Sequence, residues 1–242
     1  MKKRRWFSLF LSFALLLPLF SLTSADAYED FTLDAKAGLL IEADTGEILY
    51  EKNAHQENFP ASLTKVMVAL LVFEAIDEGK IALTDSVTAT ESAFEGLSSD
   101  GSTANIVPGE TMTVEQLLNC MLIVSANEAC NILGETLCGS VDAFVARMNE
   151  RAAELGCEHT HFANATGLHN SQHYTTAWDL YLITREALKH DKFMEICNSK
   201  SYTVPATNMT DKPRELHSTN FLISNWRARG YVYRDAQGIK TG

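Results

Sequence analysis

Ser62-Leu63-Thr64-Lys65 sets a hydroxyl and an amine three residues apart, the spacing at which two side chains share one face of a helix. An amine so placed can take the hydroxyl proton and make the serine a nucleophile. It does so only if burial or a neighbouring cation lowers its proton affinity, and a helix N-terminus would stabilise the negative charge that develops. Ser125-Ala126-Asn127 offers a second hydroxyl, placed to relay a proton towards a leaving group. Lys240-Thr241-Gly242 offers a charge and a hydroxyl for a substrate carboxylate. Together these residues describe an activated serine.

Taken singly the three motifs carry little weight. A Ser-x-x-Lys is expected about once by chance in a chain this long, and a Ser-x-Asn nearly as often; Ser218-Thr219-Asn220 is a second one. Ser62 alone reads equally well as a helix N-cap beside a solvated Lys65. Order and context change the balance, because the first motif opens an apolar helix, the second falls between helices and the third closes the chain. His159, His161, His169 and His173 match no metal-ligand spacing, and read as loop and packing residues. Neither metal nor cofactor is expected.

The elements that must position these residues are legible in outline. Ala37–Ala43 and Glu47–Glu51 flank Asp44-Thr45-Gly46, a hairpin signal. Residues 60–78 read as a helix that is apolar nearly all round, hence buried at the centre of a domain. The Ser/Gly/Thr/Asn-rich stretch 91–108 reads as irregular. Thr113-x-x-Gln116 is a capping box opening a helix to about Val124, with Leu117, Leu118, Met121 and Leu122 as its core stripe. Helices follow over 127–137 and 140–155, and another from Thr176 to about His190. Beyond Ser199 the pattern turns to short strands at Tyr202–Val204, Glu215–His217 and Tyr231–Arg234, with Gly238–Gly242 extending the last. The expected class is α+β, with one sheet assembled from both ends of the chain.

Composition bounds the function. The 242 residues are 46% hydrophobic, enough for a substantial core, and carry a net charge of −11. That charge argues against nucleic acid as a partner. Met1-Lys2-Lys3-Arg4-Arg5, the apolar run from Trp6 to Phe20 and Ala25-Asp26-Ala27 are the three regions of a signal peptide, so residues 1–27 are expected to be removed on export. A retained anchor is the competing reading, since the uncharged stretch could span a bilayer; Pro18 and the Ala-x-Ala site favour cleavage. Residues 28–242 then carry 16 positive and 30 negative groups, and any anionic substrate needs cations gathered at the site. Cys120, Cys130, Cys138, Cys157 and Cys197 are odd in number and lack a Cys-x-x-Cys pair; they read as core thiols rather than a disulfide framework.

The three motifs resemble those of the serine penicillin-binding protein and β-lactamase superfamily. The text around them, over residues 60–65, 121–129, 160–169, 173–177 and 238–242, resembles the D-alanyl-D-alanine carboxypeptidase family across essentially all of the chain after residue 27. That resemblance implies the β-lactamase/transpeptidase-like fold, an antiparallel sheet flanked by a helical cluster, and an exported serine peptidase. Such an enzyme removes the terminal D-Ala from peptidoglycan stem pentapeptides through an acyl-enzyme, and β-lactams acylate the same serine. By motif, Ser62 is the nucleophile, Lys65 the general base and Ser125 the proton relay. Asn127 holds substrate amides, Lys240 and Thr241 engage the carboxylate, and Gly242 leaves room for the bound peptide. Ala126 stands where the family more often has Gly.

The resemblance also implies strands beyond Gly242 that lie between the third motif and the N-terminal hairpin. The residue following Gly242 would supply one of two oxyanion N–H donors, whose removal typically costs about 10²–10³ in rate. Residues 28–242 are therefore expected to be a truncated catalytic domain with a split sheet, essentially inactive alone. Many members add a β-rich domain and an amphipathic tail that meets the membrane surface. Three rival functions share the motifs. A class A β-lactamase needs a Glu-x-x-Leu-Asn loop that is missing between Asn127 and Lys240. A DD-endopeptidase acting on cross-links, and a non-catalytic penicillin-binding or wall-binding protein, differ only in substrate or turnover.

Overall fold

The computed structural model describes residues 33–227 and 230–242, and among them six α-helices and three antiparallel strand pairs make up the fold. The signal-peptide expectation for residues 1–27 lies outside the described residues. Among the described residues no helix is long and apolar enough to cross a membrane. Lys36–Gly242 form one compact unit.

The N-terminal hairpin pairs β1 (Gly38–Ile41) with β2 (Ile48–Lys52), antiparallel, with Leu40 opposite Tyr50. Its turn needs a left-handed residue, which Gly46 supplies at φ 75°. A 3-10 turn, Ala61–Thr64, then leads directly into α1 (Lys65–Asp77). Every residue from Lys65 to Phe73 is buried, because α1 packs against four other helices. Its C-terminus closes as a Schellman motif: Lys80 N–H reaches Ala75 C=O at 2.9 Å and Gly79 N–H reaches Ile76 C=O at 3.0 Å.

The capping box forms as expected, with Thr113 and Gln116 each accepting the other's backbone N–H at the start of α2 (Val114–Ile123). Helices α3 (Asn127–Cys138), α4 (Val141–Glu154) and α5 (Ala177–Ala187) follow the expected spans to within about three residues. Ser140 caps α4 and Thr176 caps α5. The core lies where α1, α2, α3 and α4 meet, around Leu70, Leu118, Met121, Leu133 and Phe144, all fully buried.

Three elements were not legible. β3 (Ser86–Thr88) and β4 (Thr111–Thr113) pair antiparallel, and at three residues each they are too short to alternate recognisably. The helix expected to run to His190 stops at Ala187, and a separate α6 (Asp191–Cys197) follows, about two turns with no side-chain cap.

The sheet requires correction. β5 (Ser201–Val204) and β6 (Arg214–His217) form a third antiparallel pair, and β1–β2, β3–β4 and β5–β6 stay separate. The sheet is split, as the resemblance implies, and no sheet joins the two ends of the chain among the described residues. Nor do Tyr231–Arg234 or Gly238–Gly242 form strands. A strand exists only through its ladder, and the backbone of residues 239–242 makes no ladder bond. Side chains dock this segment instead: Asn198 Oδ1 accepts Gly238 N–H at 2.6 Å, Asn220 Nδ2 donates to Gly238 C=O at 2.6 Å, and the Thr219 and Thr241 hydroxyls meet at 2.7 Å.

All five cysteines are free thiols, four of them buried. Burial raises the Cys130 thiol to about 11 and those of Cys157 and Cys197 to about 12, so they stay protonated and inert at neutral pH.

Candidate active site

Ser62 is half-buried on the 3-10 turn and Lys65, the first residue of α1, has no exposed surface. Three acceptors surround the Lys65 ammonium: Ser62 Oγ at 3.1 Å, Asn127 Oδ1 at 2.8 Å and Thr166 C=O at 2.6 Å. An ammonium has three N–H donors, so all are used. When Lys65 loses a proton, the carbonyl of Thr166 and Oδ1 of Asn127 can only accept, and each retains one N–H. The lone pair is then left facing Ser62 Oγ, the longest of the three contacts. The geometry therefore aims the base at the serine.

Burial lowers the Lys65 pKa from its ordinary value, and the Glu128 carboxylate partly offsets this. From the sequence, a neighbouring cation is expected to share in lowering it. In the structure that influence falls on Lys240, whose pKa drops to about 8 through burial first and the Lys65 charge second. The two lysines are thus electrostatic neighbours.

The middle motif lies in the break between α2 and α3. Ser125 has φ 65°, a left-handed conformation that costs a non-glycine residue energy. Its hydroxyl is buried and, among the described residues, makes no hydrogen bond. A strained backbone and an orphaned buried hydroxyl are features that recur at functional positions. Asn127 binds Lys65 and is also held by its backbone N–H to Ser102 C=O at 2.9 Å. Glu128, next in the chain, has no role legible from the sequence. It is buried and accepts from Thr103 Oγ1, Ala104 N–H and Ile106 N–H at 2.7, 2.8 and 3.3 Å, pinning the 101–106 loop beside Asn127. A cleft of about 610 Å³ opens there, between Gly101–Asn105 and His217–Thr219.

In the third motif, Lys240 Nζ donates to Thr241 C=O at 2.6 Å. Thr241 is tied to Thr219, whose own N–H bonds Ile123 C=O at the end of α2. The second Ser-x-Asn, residues 218–220, thus anchors the third motif through Thr219 and Asn220. Gly242 rests on the serine turn: a Cβ on it would lie 2.9 Å from Leu63 Cγ and 3.1 Å from Pro60 C=O. The space its missing side chain leaves is taken by that turn.

Asn164, Thr166, Gly167 and His173 have no role legible from the three motifs. Asn164 Oδ1 accepts from Thr166 N–H, Thr166 Oγ1 and Gly167 N–H, and so presents Thr166 C=O to Lys65. Gly167, at φ 87°, passes so close to the serine turn that a Cβ would sit 1.9 Å from Ala61 C=O. His173, read as a packing residue, contacts Thr64 Oγ1 at 2.7 Å. The signals were the Asn-x-Thr-Gly turn chemistry and the glycine itself. Histidines 159, 161 and 169 do lie in loops, against Glu57, Gln172 and Phe59. Among the described residues no three His, Cys, Asp or Glu side chains gather as a metal site.

Comparison with known proteins agrees with this geometry. D-alanyl-D-alanine carboxypeptidase DacF of Bacillus subtilis is 39% identical over 209 residues, 86% of this chain and 51% of the relative. A point mutant of the Streptomyces K15 DD-transpeptidase superposes with a TM-score of 0.78 at 28% identity, covering 88% of this chain and 82% of the other. Penicillin-binding protein 6B of Escherichia coli gives 0.75 at 27% identity, over 87% and 65%. The α+β architecture is therefore the β-lactamase/transpeptidase-like fold of these peptidases. The chain spans about half the length of the first curated relatives it matches. Residues 23–242 match the profile described as D-alanyl-D-alanine carboxypeptidase, peptidase S11, and with the serine and lysine motifs converging in this fold, the chain belongs to that family.

Proposed function

We propose that the protein is an exported serine D-alanyl-D-alanine carboxypeptidase, with residues 28–242 carrying its catalytic machinery. Lys65 takes the Ser62 proton, and Ser62 Oγ attacks the carbonyl carbon of the penultimate D-Ala of a peptidoglycan stem pentapeptide. The C–O bond forms as the peptide C–N bond breaks. The proton passes through Ser125 to the leaving amine, terminal D-Ala departs, and water hydrolyses the ester. Lys240 and Thr241 hold the terminal carboxylate, and Asn127 both fixes Lys65 and faces the substrate amides. Ser62 N–H, in the first turn of its 3-10 helix, has no intrahelical acceptor and serves as an oxyanion donor. β-Lactams acylate the same serine. The peptidoglycan substrate puts the protein at the extracytoplasmic face of the cell membrane or in the wall, consistent with the signal-peptide pattern of residues 1–27. A C-terminal tail like that of many family members would bring it to the membrane surface.

The single observation that carries this reading is the Lys65 ammonium held 3.1 Å from Ser62 Oγ with its other two donors committed. The test is D-Ala release from a Lys-D-Ala-D-Ala peptide by the complete gene product, beside Ser62→Ala. Release that depends on Ser62 is expected. Turnover of penicillin instead identifies a β-lactamase, and cleavage confined to cross-linked dimers an endopeptidase. Acylation without turnover of any of these leaves a penicillin-binding protein with no catalytic role.

A further inference from the structure

The turn that presents Ser62 is strained and yet closely held. Ala61, immediately before the serine, has φ 48°, a conformation that costs a non-glycine residue about 1–2 kcal/mol. Something must hold it there. Its carbonyl lies against Gly167 on one side and accepts a hydrogen bond from Thr64 Oγ1 at 2.8 Å on the other. Thr64 Oγ1 in turn meets His173 Nε2 at 2.7 Å, and His173 Nδ1 receives Ala163 N–H at 3.1 Å.

Every hydrogen in this series has one allowed position. A backbone N–H can only donate, so Nδ1 of His173 carries its lone pair and the neutral ring bears its proton on Nε2. A backbone C=O can only accept, so the Thr64 hydroxyl hydrogen points to Ala61. Thr64 Oγ1 must then accept from Nε2. The result is a one-way chain, Ala163 N–H to His173 to Thr64 to Ala61, with no alternative arrangement. His173 and Thr64 are both buried, with 2% and 0% exposure, so water does not compete. The backbone of His173 is fixed by its main-chain N–H, which donates to Asn170 C=O at 2.9 Å, and the ring packs edge-on against Phe162. His161 is the titratable neighbour whose charge bears on it.

We propose that His173 is a positioning residue for Ser62, holding the strained Ala61 carbonyl through Thr64 and thereby setting the direction from which the nucleophile attacks. This rests on the reading of Ser62 as the nucleophile. His173 touches neither Ser62 nor Lys65. It acts on the turn that joins them, from a segment about a hundred residues further along the chain. The opposite tautomer, or the doubly protonated ring, would set two N–H groups against each other at Nδ1 and release the turn.

Two amide variants separate the two ends of the ring. His173→Gln carries an N–H donor to about the position of Nε2 and can still donate to Thr64. His173→Asn reaches only the position of Nδ1, keeping Ala163 but losing Thr64. The complete gene product and both variants are compared by the second-order rate of acylation by a fluorescent penicillin, by thermal melting, and by ¹⁵N shifts of the native His173 ring. His173→Asn is expected to slow acylation by roughly tenfold to a hundredfold, and His173→Gln to recover most of that rate at a similar melting temperature. The native ring is expected to show the Nε2–H tautomer at neutral pH. Native-like acylation by His173→Asn, or an Nδ1–H tautomer, overturns the proposal. A native protein that labels no faster than Ser62→Ala overturns the nucleophile reading itself, an outcome distinct from either.

Discussion

Replacing Gly167 by alanine isolates the contact on which the serine turn depends. A Cβ built there falls 1.9 Å from the Ala61 carbonyl oxygen and 2.3 Å from its carbon. These are backbone atoms and cannot swing aside, so the two segments must separate by more than about 1 Å to regain ordinary contact. Overpacking of this kind costs about 1–3 kcal/mol. The residue also sits at φ 87°, and a left-handed alanine adds about 1–2 kcal/mol. Gly139 and Gly156, at φ 81° and 80° with nothing within 4 Å of a built Cβ, carry the second cost without the first. Gly139→Ala and Gly156→Ala should therefore lose roughly 2–8 °C in melting temperature, and Gly167→Ala a further 2–12 °C or so. The displaced carbonyl belongs to the residue bonded to Ser62, and the same shift moves Thr166 C=O away from Lys65. Acylation by labelled penicillin should fall by about 10²-fold, since misplacement near 1 Å costs that much. Thermal melts and labelling time courses on the three variants decide the matter. If Gly167→Ala melts with its two controls and labels at the native rate, the close approach of the 164–167 turn to the Ser62 turn is wrong.

Lys65→Met keeps the bulk of the side chain but removes the base, and should slow acylation by about 10²–10⁴-fold; near-native labelling would remove Lys65 from the mechanism. Lys240 titrates at about 8, so rising pH strips the charge that would hold a substrate carboxylate. KM for a D-Ala-D-Ala peptide should climb above pH 8, and Lys240→Arg, which stays charged, should flatten the climb. His173, pushed down to about 4 chiefly by burial and further by His161, binds its proton later than the unfolded chain does. Its contribution to stability is therefore complete above about pH 6.5 and is lost as the pH falls towards 4, about 3 kcal/mol in all. Urea midpoints at pH 7 and 4.5 should show this loss in the native protein and not in His173→Gln.

Much of this protein is written locally. Thr113 and Gln116 cap α2 because each finds its partner three residues away, and α1 is central because it is apolar on all sides, a property of its own residues. The catalytic candidates were legible for the same reason, since Ser62 and Lys65 meet within one helical turn. What tertiary structure decided are the contacts with no local signature. Thr166 C=O and Asn127 Oδ1 reach Lys65 across 101 and 62 residues and direct its lone pair. Thr219 and Asn220 dock the third motif through side chains where a strand was expected, because strand formation depends on a partner's backbone and not on the β-propensity of Gly238–Gly242. His173 looked like packing because the sequence shows a residue's type and not what its two ring nitrogens face. Short-range hydrogen bonds can be read from spacing; a proton's direction is set only when segments distant in the chain close around it.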